Sequence, residues 1–473
     1  CIYKEMIFVE WNRLISEKHF HKDVEESIIQ RNDYDTIICS TLFRRLQDKA
    51  QVFPLDDDDY VRTRLTHSLE VSAIGYKIGA YVFYKLREMN ADPWFEEHTE
   101  KEFSDPLLCA GLVHDIGNPP FGHFGEYAIR EWFVKKLKRM SLGKRRVTDI
   151  LDEWQLQDLY NFEGNAQSLR LLSKTSYLGK KHGFNLSYSV LGAIIKYPIS
   201  SYDLKYNNSN HYKKMGYNYA EYELFQDISS HMELNGGRHP LSYLLEAADD
   251  IAYRTSDLED AMVKKVINFP QITEVFQEAE LYSDAEEGIR IEVKKYLDRL
   301  QEIYQEELLC SSQKAGLTAV QRWNRYIQGV MIRDAGNAFL KYYDEIMAGK
   351  FTGDLFDNTA SGYVIQMIAK LSERLIYTSS VKTRTELFGR RIIDSLLSEF
   401  MPAAIVYDTQ EESTFIEKRT VDTISDFYKS MYHSEARGKS EQDKLYLRIL
   451  MVTDYISGMT DNYAKKLYQE LFV

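Results

Sequence analysis

Apolar residues recur at spacings of three and four through most of the 473 positions. That period predicts a succession of amphipathic helices rather than strands. One stretch is apolar on every side. Leu107-Leu108-Cys109-Ala110-Gly111-Leu112-Val113 runs into His114-Asp115 and reads as a buried helix. Asp105 can cap it, Pro106 suits its first position, and Gly117 can close it in a left-handed turn. Asn118-Pro119-Pro120 then prevents continuation, because a residue before proline avoids the helical region. A helix is also expected from Val61 to about residue 88, with Leu65, Leu69 and Ala73 as its buried stripe and His67 near the stripe's edge. Another starts at Gly122-His123 and buries Ala128, Ile129, Trp132 and Phe133. Further helices run from Asn161 through Leu169, Leu171 and Leu172, and from Leu191 to Lys196 before Pro198. In the segment from His239 to Asp257, residues Leu241, Leu244, Leu245, Ala248, Ile251 and Ala252 fall on one stripe.

Residues 262–473 continue as amphipathic helices with mixed charge. The polar, Asn-rich stretch 199–216, the aspartates 56–59, Asp408 to Thr414 and His433 to Gln442 read as exposed loops. No internal repeat and no Gly/Ser linker marks a boundary, so a largely all-α body is expected.

Composition sharpens this. A chain with 44% hydrophobic residues can bury a sizeable core, and its net charge of −13 disfavours a dedicated nucleic-acid binder. The run Lys135-Lys136-Leu137-Lys138-Arg139 with Lys144-Arg145-Arg146 is a candidate basic patch or a solvated helix face. Four scattered cysteines fit a reducing compartment. No apolar run is long enough to span a membrane, and no secretory signal is visible. Cytoplasmic is the default expectation, although a start at Cys1 without Met points to a missing or processed N-terminus.

The candidate chemistry sits where polar residues interrupt apolar helices. Burying His114 and Asp115 without partners would cost several kcal/mol, roughly. A metal ion is one partner for both, and a structural His–Asp hydrogen bond is the other. His67 has the same two readings. His123 and Glu126 share a face of their helix's first turn, where a helix dipole favours anions. They suit proton exchange with a phosphate ester, or a plain capping pair. Glu163, Asn165 and Gln167 are site lining or caps, and Lys196 offsets a helix end or holds a phosphate. Glu246, Asp249, Tyr253 and Asp257 share one helix face, where three carboxylates repel unless a cation, donor or water separates them.

The conjunction of His67, His114-Asp115 and Asp249 resembles the HD-domain metal-dependent phosphohydrolases. The surrounding blocks narrow the resemblance. They are Lys49-Ala50-Gln51-Val52-Phe53-Pro54, Arg62-Thr63-Arg64-Leu65-Thr66-His67, His114 through His123, Asn161 through Gln167, Ile251-Ala252-Tyr253 and Gly458-Met459-Thr460-Asp461. In that order they resemble the deoxyguanosinetriphosphate triphosphohydrolase (dGTPase) family, related to the mammalian HD-type dNTP triphosphohydrolase. The matches run from about residue 40 to 465. One departure is Ala50, where many relatives carry a hydroxyl residue.

The resemblance implies an HD-domain helical core with additional C-terminal helices. On that resemblance residues 1–39 are expected to form an N-terminal segment, 40–270 the catalytic core, and 271–473 a helical region completing the pocket and an oligomer interface. It implies hydrolysis of a dNTP, with dGTP preferred, to deoxynucleoside and triphosphate. His67, His114, Asp115 and Asp249 match metal ligands for Mg²⁺ or Mn²⁺, with Fe, Ni or Co also suited to such donors. His123 and Glu126 match a catalytic pair. Arg64 and Lys196 resemble phosphate-binding residues, Tyr253 the residue stacked on the deoxyribose, and Asp257 and Gln51 contacts to the 3′-hydroxyl. Asn118, Glu163 and Asn165 are candidate lining. A homo-oligomer, a hexamer in many relatives, is implied, with single-stranded nucleic acid as a possible regulatory partner. The competing readings are an HD phosphohydrolase for another nucleotide and a non-catalytic nucleotide sensor or single-strand binder.

Overall fold

The computed structural model describes residues 9–19, 32–55, 58–174, 184–207, 212–278, 282–310 and 314–473. Asp56 and Asp57 of the acidic run and residues 208–211 of the Asn-rich stretch lie outside these. Among the described residues the protein is all-α apart from one antiparallel pair of two-residue strands, Ser141–Leu142 with Arg145–Arg146. Nine helices carry the argument: α1 (Arg64–Glu88), α2 (Glu100–Val113), α3 (Gly122–Lys136), α4 (Gly164–Lys174), α5 (Pro240–Val263), α6 (Ala315–Lys341), α7 (Ser380–Val406), α8 (Glu441–Ser457) and α9 (Asp461–Phe472). No helix among the described residues is long and apolar enough to cross a membrane.

The chain forms two compact units, each assembled from separated stretches. The first comprises Cys1–Ile15, Asp56–Leu112 and His239–Arg384; the second comprises Ser16–Leu55, Val113–Arg238 and Thr385–Val473. In the first, α1, α5 and α6 pack together, beside an aromatic cluster of Trp11, Phe83, Trp94, Phe95 and Phe103. In the second, α3, α7 and α8 share one core containing Trp132, Phe133, Leu396, Phe400, Leu450 and Ile456.

Several expectations change on the structure. The buried stripe of α1 is not Leu65, Leu69 and Ala73: Leu69 is 47% exposed, Ala73 is exposed and Leu65 only half-buried. The inward face is His67, Ser68, Val71, Ser72, Ile74, Gly75, Ile78 and Gly79. Small residues win there because backbones approach closely; a Cβ on Gly111 of α2 would stand 2.6 Å from the Ser72 backbone. Helix α2 does not start at Asp105-Pro106. It starts at Glu100, where the Thr99 hydroxyl accepts from the Glu102 amide and the Glu102 carboxylate accepts from the Thr99 amide. That reciprocal cap leaves Pro106 inside the helix. The stretch 199–216 is not all loop, since Ser200 caps a helix over Ser201–Tyr206. The connection near residue 440 shrinks to 436–440, because His433 lies inside a helix that ends at Glu435 and Gln442 lies in α8. Residues 407–414 do form an irregular connection. In the basic run, Lys135 pairs with Glu131 and Lys136 with Asp394, as on an ordinary solvated face.

Gly117 is not left-handed. It is glycine because the segment after α2 lies against α4: a Cβ on it would stand 2.2 Å from the Gly164 carbonyl oxygen and from the Ser168 amide nitrogen. The left-handed residues are Phe121 (φ 65°) and Gly122 (φ 61°). For a phenylalanine that conformation costs about 1–2 kcal/mol.

Gly117→Ala is expected to destabilise by roughly 3 kcal/mol, the upper end of overpacking costs. Gly288→Ala, where an added Cβ meets nothing within 4 Å, should stabilise by about 0.5–1 kcal/mol. Urea midpoints of the two variants check the contrast; equal midpoints would refute the close-approach explanation.

Candidate functional site

The first unit contributes His67, Arg64, Asp249, Tyr253 and Asp257. His67 lies one turn into α1, whose start Thr63 caps with its side chain. It is 1% exposed, and its Nε2 stands 3.0 Å from Asp249 Oδ1 on α5. Arg64 is buried at the first position of α1. Arg62 locks the two helices in register. Its guanidinium donates to Glu70 on α1 and to Glu259 and Asp260 on α5, and its amide donates to Asp260. Burial nevertheless pushes the Asp260 carboxyl up to about 6.

Two turns along α5 from Asp249, Asp257 is fully buried and accepts a hydrogen bond from the Tyr377 hydroxyl at 2.8 Å. Tyr377 OH also meets Tyr253 OH. The Lys382 ammonium lies 4.4 Å over the Tyr377 ring and the Arg254 guanidinium 4.8 Å over the Tyr253 ring. Asp257 Oδ1 is buried and receives no hydrogen bond among the described residues. Tyr377 follows a π-helical turn, Ser372–Ile376, and no apolar period or motif marks it in the sequence.

The second unit contributes His114, Asp115, Asn118, His123, Glu126, Glu163, Asn165, Gln51 and Lys196. His114 Nε2 and Asp115 Oδ1 are 3.6 Å apart, and the Asn118 amide donates to Asp115 at 2.5 Å. The Ser168 hydroxyl of α4 donates to the His114 carbonyl and accepts from the Gly117 amide. The Lys49 ammonium donates to the Asn118 carbonyl. Gln51 Oε1 is buried and accepts nothing among the described residues. Lys196 follows a short buried helix and lies 5.7 Å over its neighbour's ring, Tyr197.

His123 and Glu126 do meet. The imidazole is 77% exposed, and its Nδ1 lies 3.1 Å from the Glu126 carboxylate. Glu126 is 1% exposed and also accepts from Arg130 and from the Gly164 amide at the start of α4. Burial drives its carboxyl up, but His123, Lys214 and Arg130 outweigh that and hold it below the ordinary range. Glu163, buried nearby, goes the other way: burial and the charge of Glu126 raise it, although Lys214 donates to it at 2.9 Å. Asn165 donates to Glu163, whereas Gln167 turns away to Asp454 and Ser457. Arg130 was legible as the residue one turn after Glu126. Lys214 was hidden in the Asn-rich stretch.

These helices match the HD domain over residues 64–173 and the phosphohydrolase-associated domain over 365–470, so the class is an HD-type hydrolase. The chain is 42% identical to a deoxyguanosinetriphosphate triphosphohydrolase-like protein of Listeria monocytogenes, over 98% of this chain and 99% of that one. A protein of the same description from Synechocystis is 32% identical over 98% and 99%. The deoxyguanosinetriphosphate triphosphohydrolase of Yersinia enterocolitica is 30% identical over 95% and 94%. The chain belongs to the deoxyguanosinetriphosphate triphosphohydrolase family of HD-domain proteins.

Burial pushes the Asp257 carboxyl up to about 7, against the Tyr377 hydrogen bond that lowers it. The folded state then holds a proton that the unfolded chain has released. Stability contributed here is therefore lost as pH rises from about 4 to about 7. Asp257→Asn should remove that slope, so the variant's thermal midpoint gains on the wild type between about pH 5 and pH 7.5. A constant difference across that range would exclude a buried, proton-holding Asp257.

Proposed function

We propose that this protein is a metal-dependent dNTP triphosphohydrolase with a preference for dGTP. It cleaves between the 5′-oxygen and the α-phosphate to give deoxynucleoside and triphosphate. The observation that carries the reading is the His123–Glu126 pair, an exposed imidazole hinged on a buried, ionised carboxylate. Such a pair can hold a proton at one ring nitrogen and move one at the other. In this family setting its target is the 5′-oxygen of the leaving nucleoside. Glu126, fixed by Arg130 and the Gly164 amide, sets the ring's orientation.

His67, His114, Asp115 and Asp249 would hold the divalent ion, Mg²⁺ or Mn²⁺ foremost, with Fe, Ni or Co also suited. Two imidazoles and two carboxylates fit such ions chemically, and His67 Nε2 already faces Asp249 Oδ1. The bound ion supplies charge neutralisation at the α-phosphate and a more acidic water. Arg64 and Lys196 bind phosphate oxygens, whose charge grows in the transition state. Tyr253 packs on the deoxyribose. Asp257 and Gln51 take the 3′-hydroxyl, and each keeps a buried oxygen that accepts no bond among the described residues. Asn118 orients Asp115, and Glu163 with Asn165 lines the site beside Glu126. The same reading includes a homo-oligomer, a hexamer foremost, and single-stranded nucleic acid as a regulator.

Incubation with each dNTP and Mg²⁺ or Mn²⁺ should release deoxynucleoside and intact triphosphate, fastest from dGTP. His123→Ala should lower kcat by ~100-fold or more, and Asp115→Ala should abolish turnover. Release of pyrophosphate or phosphate would replace this reading with a different phosphohydrolase. No turnover of any dNTP, alone or in pairs, would favour a nucleotide sensor.

A further inference from the structure

We infer that Asp461 and Lys49 are positioning residues for the His123–Glu126 pair, clamping the left-handed turn from which α3 starts. The inference rests on the role of that pair under Proposed function. His123 has Glu126 as its ring partner and is otherwise largely in water, so the backbone of α3's first turn decides where the imidazole points. Its own backbone closes it with a bond from the Gly122 amide to the Pro119 carbonyl at 3.1 Å, and the rest of its local equipment is sparse. Pro119 and Pro120 supply no amide donors, Phe121 sits strained at φ 65°, and no side chain caps the helix.

The missing holds come from elsewhere in the second unit. One Asp461 oxygen accepts from the Phe121 amide at 2.9 Å; the other accepts from the Ala50 amide at 3.0 Å. The Lys49 ammonium donates to the Asn118 carbonyl at 2.6 Å and to the Ser457 carbonyl at 2.7 Å. Both charged side chains are buried. The Phe121 ring is seated against α7, where a Cβ on Gly389 would stand 2.5 Å from it. The turn is thus gripped at both ends, Asn118 and Phe121, by residues of the Lys49-to-Pro54 and Gly458-to-Asp461 blocks. This gives those blocks a use that no direct contact with the reacting atoms requires.

The test compares the wild type with Asp461→Asn, which keeps one acceptor and turns a donor on the other amide, and Lys49→Met, which keeps the stem and loses the charge. Asp158→Asn, at a buried carboxylate bonded to Tyr446 and the Tyr219 amide, is the stability control. Steady-state kinetics with a dNTP are paired with hydrogen–deuterium exchange over residues 118–126. The clamp predicts faster exchange in that peptide for both clamp variants. It also predicts a kcat loss of roughly 10- to 100-fold, as for a small misplacement of a catalytic group, with KM changed by less than about threefold. Asp158→Asn should lower the thermal midpoint and leave kcat intact well below it.

Unchanged exchange over 118–126 overturns the proposal. So does a change confined to KM, or an equal kcat loss in Asp158→Asn. If Asp461→Asn does not fold, Lys49→Met carries the same outcomes. Absence of dNTP turnover in the wild type would sink the functional reading by itself, and the exchange measurement would still decide the clamp.

Discussion

A carboxylate removed from water has to be matched, and in the second unit the matching of Glu126 dictates much of what surrounds it. Among the described residues it bonds to an imidazole, a guanidinium and a backbone amide. The amide belongs to Gly164, where a Cβ would stand 2.6 Å from the carboxylate oxygen. The requirement for an N–H at that spot therefore fixes both a glycine and the starting point of α4. Once α4 starts there, Ser168 is placed to bridge the His114 carbonyl and the Gly117 amide. The His-Asp pair and the His-Glu pair are thus tied to the same helix.

Further along α4, Gln167 and Arg170 reach α8. Arg170 is wholly buried and donates to Asp454, Glu221 and Glu435. Buried networks of this kind contribute little net stability relative to apolar packing. Removing one member, however, strands the others at a cost of about 3–5 kcal/mol. Their value lies in register, since a shifted helix would leave charges unmatched. Arg62 does the same in the first unit by joining α1 to α5, the helices that carry His67 and Asp249.

How much of this the sequence displays depends on the kind of force involved. Helices built on leucine and alanine stripes, such as α5 with Leu241 through Ala252, are visible because burial and apolar character coincide. The face of α1 is misplaced because close approach replaces leucines with Ser72, Gly75 and Gly79, which a hydrophobic period reads as neutral. The start of α2 is misplaced because a Thr99–Glu102 cap outcompetes a proline that looks like a better beginning. The His123–Glu126 contact follows from helical spacing alone. Tyr377 and Lys214 reach their partners through the fold, 120 residues from Asp257 and 51 from Glu163, and nothing local announces them.

The two units are interleaved along the chain, and that has a bearing on synthesis. Neither is a continuous stretch: the first draws its last segment from as far as Arg384, and the second needs α8 and α9 near residue 473. A ribosome making this protein from its N-terminus would have released most of the chain before either unit could close. Nascent helices such as α3, with Trp132 and Phe133, must wait for partners from α7 and α8, exposing apolar faces in the meantime. This is a protein whose yield in a cell should depend on how well that waiting period is chaperoned, and whose messenger tolerates premature stops badly, even late ones.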